Sequence, residues 1–236
     1  MLKIIQENKR ASINEMYFAF QGEGQMIGTP CIFVRTHGCP VHCKWCDTPY
    51  TWDGSEKGDR STADDVIDRA TEMAESYKCR HIVLTGGEPM IQRGLFRMLD
   101  RWVANGFTVE VETAAIFPPV DGIHIDGVRW NLSPKMPSAE PKKVPDPLVI
   151  NQWLTENNDA TLKIVISDEI DWQSFLSLWS GLSEDIDPRR VFLMPCGISR
   201  VQIQDSLKWL MDKAEGWPFR ITPRMQITAY GDKRGV

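Results

Sequence analysis

Three of the chain's cysteines crowd into eight residues. The segment Gly38-Cys39-Pro40-Val41-His42-Cys43-Lys44-Trp45-Cys46-Asp47-Thr48 carries them as Cys-x3-Cys-x2-Cys. Three thiolates at this spacing can wrap one corner of a compact cluster. On a [4Fe-4S] cluster they leave one iron open. The amino and carboxylate groups of S-adenosylmethionine (SAM) can chelate such an iron, and a reduced cluster can push an electron into its sulfonium. A structural zinc site is the other reading, with His37, His42 or Cys31 as the fourth ligand of a closed tetrahedron. In a cytoplasmic chain, crowded cysteines point to metal more than to disulfides. Of the six cysteines, Cys79 reads as a buried thiol and Cys196 stands outside the motif.

A second constellation lies in Ile82-Val-Leu-Thr-Gly-Gly-Glu-Pro-Met90. An apolar run ends in Gly86-Gly87-Glu88-Pro89, where glycines let backbone approach a ligand closely and Glu88 can accept from an ammonium group. An ordinary strand-to-helix turn, with Pro89 near the first helical position, fits the same residues.

These residues need a scaffold, and the pattern around them alternates strand and helix. Strands are predicted over residues 31–36, 81–85, 107–112, 128–132, 162–166, 191–194 and 217–221. Helices are predicted over 62–77, with Ser61 or Thr62 as N-cap, and over 95–104, 172–179 and 201–214. Such alternation implies a parallel sheet with right-handed crossovers. About six core strands are too few for a closed barrel of eight, so an open, partial TIM-like α/β barrel is expected, with its chemistry at the C-terminal strand ends. The five prolines between Ser133 and Pro147 read as an ordered loop or crossing connection. Trp102, Trp172, Trp179 and Trp209 fall at helical positions and read as packing residues.

The chain has 236 residues, 42% hydrophobic and 25% charged, with net charge −5. That length suits a single domain over residues 1–236. The acidic balance argues against a broad nucleic-acid surface. No apolar run reaches the roughly 20 residues of a membrane span, and residues 1–7 lack the apolar core of a signal peptide. A cytoplasmic location is the default expectation.

The cysteine spacing, Trp45 just before the third cysteine and the Gly-Gly-Glu turn together resemble the radical SAM superfamily. The resemblance implies a [4Fe-4S] cluster on Cys39, Cys43 and Cys46, bound SAM, and contact of Glu88 with SAM's amino group. A narrower likeness joins Glu15-Met-Tyr-Phe-Ala-Phe-Gln-Gly-Glu-Gly24, Gly28-Thr29-Pro30, Phe33-Val34-Arg35, the Cys46-Asp47-Thr48 ending, Ser133-Pro134-Lys135 and Gly231-Asp-Lys-Arg-Gly-Val236. This set resembles the 7-carboxy-7-deazaguanine synthases over nearly the whole chain.

That resemblance implies a carbon–nitrogen lyase that contracts 6-carboxy-5,6,7,8-tetrahydropterin to 7-carboxy-7-deazaguanine and releases ammonia. The product serves 7-deazapurine biosynthesis, for queuosine, archaeosine or a modified DNA base. The 5′-deoxyadenosyl radical takes a hydrogen from C6 and later returns it, so SAM is regenerated. The resemblance also implies Mg2+, a homodimer, and a flavodoxin or ferredoxin as electron donor. It places substrate at Phe20, Gln21, Gly22, Glu23, Arg35, Thr85 and Gln226, and Mg2+ at Thr48. It places SAM at Trp45, Cys46, Asp47, Gly87, Glu88, Glu112, Ser133, Pro134, Lys135, Met194, Pro195, Cys196 and Gly197. No catalytic side chain is implied beyond the cluster-bound SAM.

Chemistry supports several of these roles. An amide such as Gln21 both donates and accepts, and a guanidinium such as Arg35 suits a carboxylate. Period two puts Cys31, Phe33 and Arg35 on one strand face, and Glu110 beside Glu112. Two positions depart from the family pattern: Met194 stands where many members have glutamine, and Gln226 where many have histidine. Met194 has no side-chain amide to offer, and Gln226 cannot carry charge. A glycyl-radical activase shares the cysteine loop and its Cys-Asp ending, but has no need of the Gln-Gly-Glu-Gly turn.

Overall fold

The computed structural model describes residues 7–120 and 125–236. The signal-peptide reading therefore falls, but for Glu7, outside the described residues. Nine strands form one sheet: β1 (Arg10–Phe20), β2 (Pro30–Thr36), β3 (Asp59–Thr62), β4 (His81–Gly86), β5 (Thr108–Thr113), β6 (Val128–Leu132), β7 (Ala160–Ile166), β8 (Val191–Pro195) and β9 (Arg220–Ile221). Their order is β3-β1-β2-β4-β5-β6-β7-β8-β9. Every neighbouring pair from β2 through β9 is parallel, while β1 runs antiparallel to both β2 and β3. The sheet is open, with β3 and β9 at its edges. The expected partial barrel is thus present, its parallel part made of six longer strands and the two-residue β9.

Period-two alternation divides each strand between two faces. On β7, Leu162, Ile164 and Ile166 join the large apolar core, while Lys163 and Val165 line a cavity on the other face. Helices cover the apolar face: α1 (Ala63–Ser76), α2 (Leu95–Ala104), α3 (Pro147–Glu156), α4 (Glu169–Ser180) and α5 (Arg200–Lys213), followed by the short α6 (Met225–Tyr230). Trp102 is fully buried in this core, and Trp172 nearly so, with Trp179 and Trp209 packed against it.

Of the two candidate caps for α1, Thr62 is the one used. Its hydroxyl accepts from Asp65 N, and the Asp65 carboxylate accepts from Thr62 N, a reciprocal capping box.

The strands β1 and β3 and the helices α3 and α6 were not legible in the sequence pattern. β3 is four polar residues, and β1 mixes charge with aromatics because it pairs on both sides and lines the cavity with one face. The start of α3 is hidden among the prolines, yet Pro147 sits at its first turn behind an Asp146 cap. Replacing Thr62 by alanine is expected to lower stability by about 1 kcal/mol, read as a lower urea midpoint at unchanged slope.

Candidate active site

The cysteine loop leaves the C-terminal end of β2, where parallel α/β sheets place their chemistry. Cys39, Cys43 and Cys46 are free thiols, and all three line a cavity of about 930 Å3. The proline-rich segment braces this loop. Lys44 N donates to Ala139 O at 2.8 Å and Lys142 N to Val41 O at 2.8 Å. Trp45 Nε1 donates to Ser138 Oγ at 3.1 Å, and that hydroxyl donates to Asp171 on α4 at 2.6 Å.

The Gly-Gly-Glu turn packs against the same loop from the other side. Gly87 N donates to Thr36 O at 2.9 Å and Glu88 N to Gly38 O at 2.8 Å. A Cβ on Gly87 would lie 2.0 Å from Gly38 O, so only glycine lets the two turns meet.

Glu88 requires a correction. It is fully buried and accepts from Thr113 Oγ1 at 2.7 Å, Ala114 N at 2.8 Å and Met90 N at 3.0 Å. Its carboxylate fastens the turn to the end of β5 and is not among the groups on the cavity wall, where the sequence reading had expected it beside SAM. Pro134 and Pro195 are likewise buried behind the lining.

A single zinc ion does not fit the loop. Among the described residues, no three His, Cys, Asp or Glu side chains converge closely enough to hold one ion. Cys31 lies in a separate cluster with Ala19, Phe33 and Val83, its thiol bonded to Ala19 O at 3.5 Å. His42 stacks on Trp52 with ring centroids 4.4 Å apart. A cluster of several irons takes its thiolates farther apart than one ion does, and three free thiols on a cavity wall suit it. Burial raises the Cys39 thiol, and pushes Cys43 up to about 11. Metal binding would displace those protons.

The remaining residues expected to bind SAM gather around this loop: Trp45, Asp47, Gly87, Glu112, Ser133, Lys135, Met194, Cys196 and Gly197 all line the cavity. Lys135 Nζ donates to Ser133 Oγ at 2.9 Å. The expected substrate residues Phe20, Gln21, Gly22, Glu23, Arg35, Thr85 and Gln226 line it too, as does Thr48.

A buried ion network forms the floor. Lys163 Nζ donates to Glu23 at 2.7 Å and to Glu112 at 2.9 Å. Arg224 pairs with Glu23 at 3.0 Å and with Asp47 at 2.6 Å. Burial alone raises the Glu23 carboxyl, but the Lys163 ammonium and Arg224 guanidinium outweigh it and hold the group well below the usual carboxylate range. Gln226 Nε2 donates to Glu23 at 2.7 Å. Its side chain fills the space over Gly22, where a Cβ would come within 1.9 Å of Gln226 Oε1.

Arg35 stands at the other wall. Its Nε donates to Glu15 at 2.7 Å and one terminal nitrogen to the Tyr17 hydroxyl at 2.8 Å. Of the face shared with Phe33 and Cys31, Arg35 and Phe33 line the cavity while Cys31 lies deeper. The tail closes the rim: residues 232–236 line the cavity, and Arg234 pairs with Glu15 at 2.7 Å.

Comparison with known proteins follows this geometry. A 7-carboxy-7-deazaguanine synthase from Pyrobaculum aerophilum is 33% identical over 231 residues, 96% of this chain and 97% of the relative. The chain belongs to the 7-carboxy-7-deazaguanine synthase family. Another synthase of the family, from Rhodopirellula baltica, is 32% identical over 238 residues, 95% of this chain and 88% of its own. The radical SAM superfamily matches residues 33–126. The crystal structure of QueE from Escherichia coli shares the fold, with TM-score 0.74 at 24% identity over 95% of this chain and 97% of that one. The glycyl-radical activase reading is not favoured by these relatives.

Sequence reasoning missed Lys163, Arg224, Tyr17 and Glu15. Their signal was weak: Glu15 and Tyr17 lie on the mixed strand β1, Lys163 stands alone in an apolar strand and Arg224 in a loop. Lys163 in Ala-Thr-Leu-Lys-Ile-Val-Ile was the most findable, since a lysine amid a buried parallel strand demands a partner.

Two outcomes are expected. Gly87→Ala should fold yet incorporate little iron and sulfide, measured after anaerobic reconstitution. For Glu23, a folded-state pKa below the unfolded value of about 4.3 adds stability above that value, lost as pH falls through the folded one. Glu23→Gln should therefore cost about 3 kcal/mol at pH 7, and the gap to the parent should narrow below about pH 4 in denaturant titrations.

Proposed function

We propose that this chain is the lyase that converts 6-carboxy-5,6,7,8-tetrahydropterin into 7-carboxy-7-deazaguanine with loss of ammonia. Family membership supports the activity. The single observation that carries it in the structure is one cavity holding both the three free thiols and the Gln21, Glu23 and Arg35 wall.

Cys39, Cys43 and Cys46 would hold the [4Fe-4S] cluster, and with bound SAM it supplies one-electron chemistry at a carbon–hydrogen bond. Asp47, Gly87, Glu112, Ser133 and Lys135 form the wall for SAM beside those thiols. Met194 offers backbone only. Arg35 faces the substrate carboxylate with the guanidinium nitrogen that Glu15 and Tyr17 leave free. Tyr17 and Phe33, stacked with centroids 5.3 Å apart, give the planar ring an apolar side. Thr48 would offer one oxygen to Mg2+, an ion that needs further oxygen ligands from substrate and water. Gln226 meets the substrate as a neutral group held by Glu23.

The family reading adds a homodimer, a flavodoxin or ferredoxin as reductant, a cytoplasmic site of action and a single-domain chain. No helix among the described residues is long and apolar enough to cross a membrane.

The test is chemical. The chain is reconstituted with iron and sulfide without oxygen, then given SAM, Mg2+, dithionite and the tetrahydropterin. The deazapurine carboxylate is expected by mass, with SAM not consumed and with Thr48→Ala abolishing the Mg2+ dependence. SAM binding and cleavage with no deazapurine formed would overturn the proposal.

A further inference from the structure

Gln21 is almost fully buried, and its backbone is clamped by Gln21 N to Thr29 O at 2.8 Å and Gly28 N to Gln21 O at 2.7 Å. Its side chain is just as constrained. Nε2 donates to Glu110 Oε1 at 2.9 Å and lies 3.5 Å from Glu112 Oε1. Two carboxylates below the amide accept only N–H, because an amide oxygen turned toward them would be repelled. The orientation of the amide is thus dictated by charge. Its Oε1 accepts from no described residue and is left for the cavity that Gln21 lines.

Glu110 is itself held for this task. It lies below the lining, 3% exposed. Its Oε1 also accepts from Asn131 Nδ2 at 3.0 Å, and its Oε2 sits 3.5 Å from His81 Nε2. Glu112, by contrast, is occupied by Lys163 and by the Thr85 hydroxyl at 2.9 Å. The closer and less committed carboxylate is the one that sets Gln21.

We infer that Glu110 is a positioning residue that fixes Gln21 as a hydrogen-bond acceptor, so that the ligand atom meeting Gln21 must be an N–H donor. The inference rests on the proposed function for the identity of the ligand. A reduced pterin carries such donors along its edge. A ligand offering only an oxygen or a bare ring nitrogen there would leave two acceptors facing each other, unpaired and desolvated.

The test uses cluster-loaded enzyme with SAM and no reductant, so that affinity is read without turnover. Glu110→Gln, whose amide can turn either way, should weaken binding of the tetrahydropterin about tenfold with SAM affinity unchanged. In a Gln21→Leu background it should add nothing. Parent-like binding by Glu110→Gln, or full additivity with Gln21→Leu, overturns the inference.

Analogues cover the case in which Glu110→Gln fails to fold. The parent and Gln21→Leu are compared with pterins each lacking one N–H donor or one acceptor. The analogue whose penalty vanishes in Gln21→Leu should be a donor-lacking one; an acceptor-lacking one, or none, sinks the inference. If the parent holds SAM but binds no pterin, the proposed function itself has failed.

Discussion

Lys163 places an ammonium in the interior of the open barrel, on the strand face opposite the apolar core, with 3% of its surface exposed. Taking such a charge out of water costs several kcal/mol unless paired anions surround it. Glu23 and Glu112 meet that demand, and in doing so tie β7 to β5 and to the turn after β1. Glu23 then draws in Arg224, whose other partner is Asp47 beside the third cysteine. Glu23 is the partner that both cations share, so removing it would leave Lys163 with Glu112 alone and Arg224 with the exposed Asp47. The Gln21–Glu23 turn and the cysteine loop are thus registered against each other by charge, across 201 residues of chain for the Arg224–Glu23 pair.

The cluster loop is held by a different kind of constraint. It has no regular secondary structure to stabilise it, so its conformation comes from what presses on it. On one side Gly87, just after β4, comes into backbone contact with Gly38; on the other, Ala139 O accepts from Lys44 N and Lys142 N donates to Val41 O. Glu88 serves this packing: its carboxylate answers two donors at the end of β5 and the Met90 N–H of its own turn. A residue that reads as a ligand contact in isolation becomes a fastener once β4 and β5 lie side by side.

The sheet's openness suits this arrangement. Its apolar face packs against helices and carries the stability of the domain, while the opposite face is free to hold acids, bases and amides around a cavity of about 930 Å3. The antiparallel β1, between β3 and β2, adds Tyr17 and the Gln21 turn beside the parallel strands. The tail folds back to the same rim through Arg234. Function is therefore concentrated on one face and packing on the other, which is why so charged an interior is compatible with a well-filled core.

The chain's local chemistry was readable without coordinates. The Cys-x3-Cys-x2-Cys spacing, the strand ending in glycines, a cap at Ser61 or Thr62 and the long parallel strands all act within a few residues, where geometry follows from covalent connection and short periodicity. The same holds for Arg35, whose place on β2 followed from alternation. What only the tertiary structure decided was pairing across distance: that Lys163 would lie between Glu23 and Glu112, that Arg224 would bridge to Asp47, that Glu110 would sit under Gln21, and that Glu88 would turn inward. Charge complementarity sets which of these partners can coexist once buried, but a sequence carries no distance between its charges, and the crossovers of the sheet supply it.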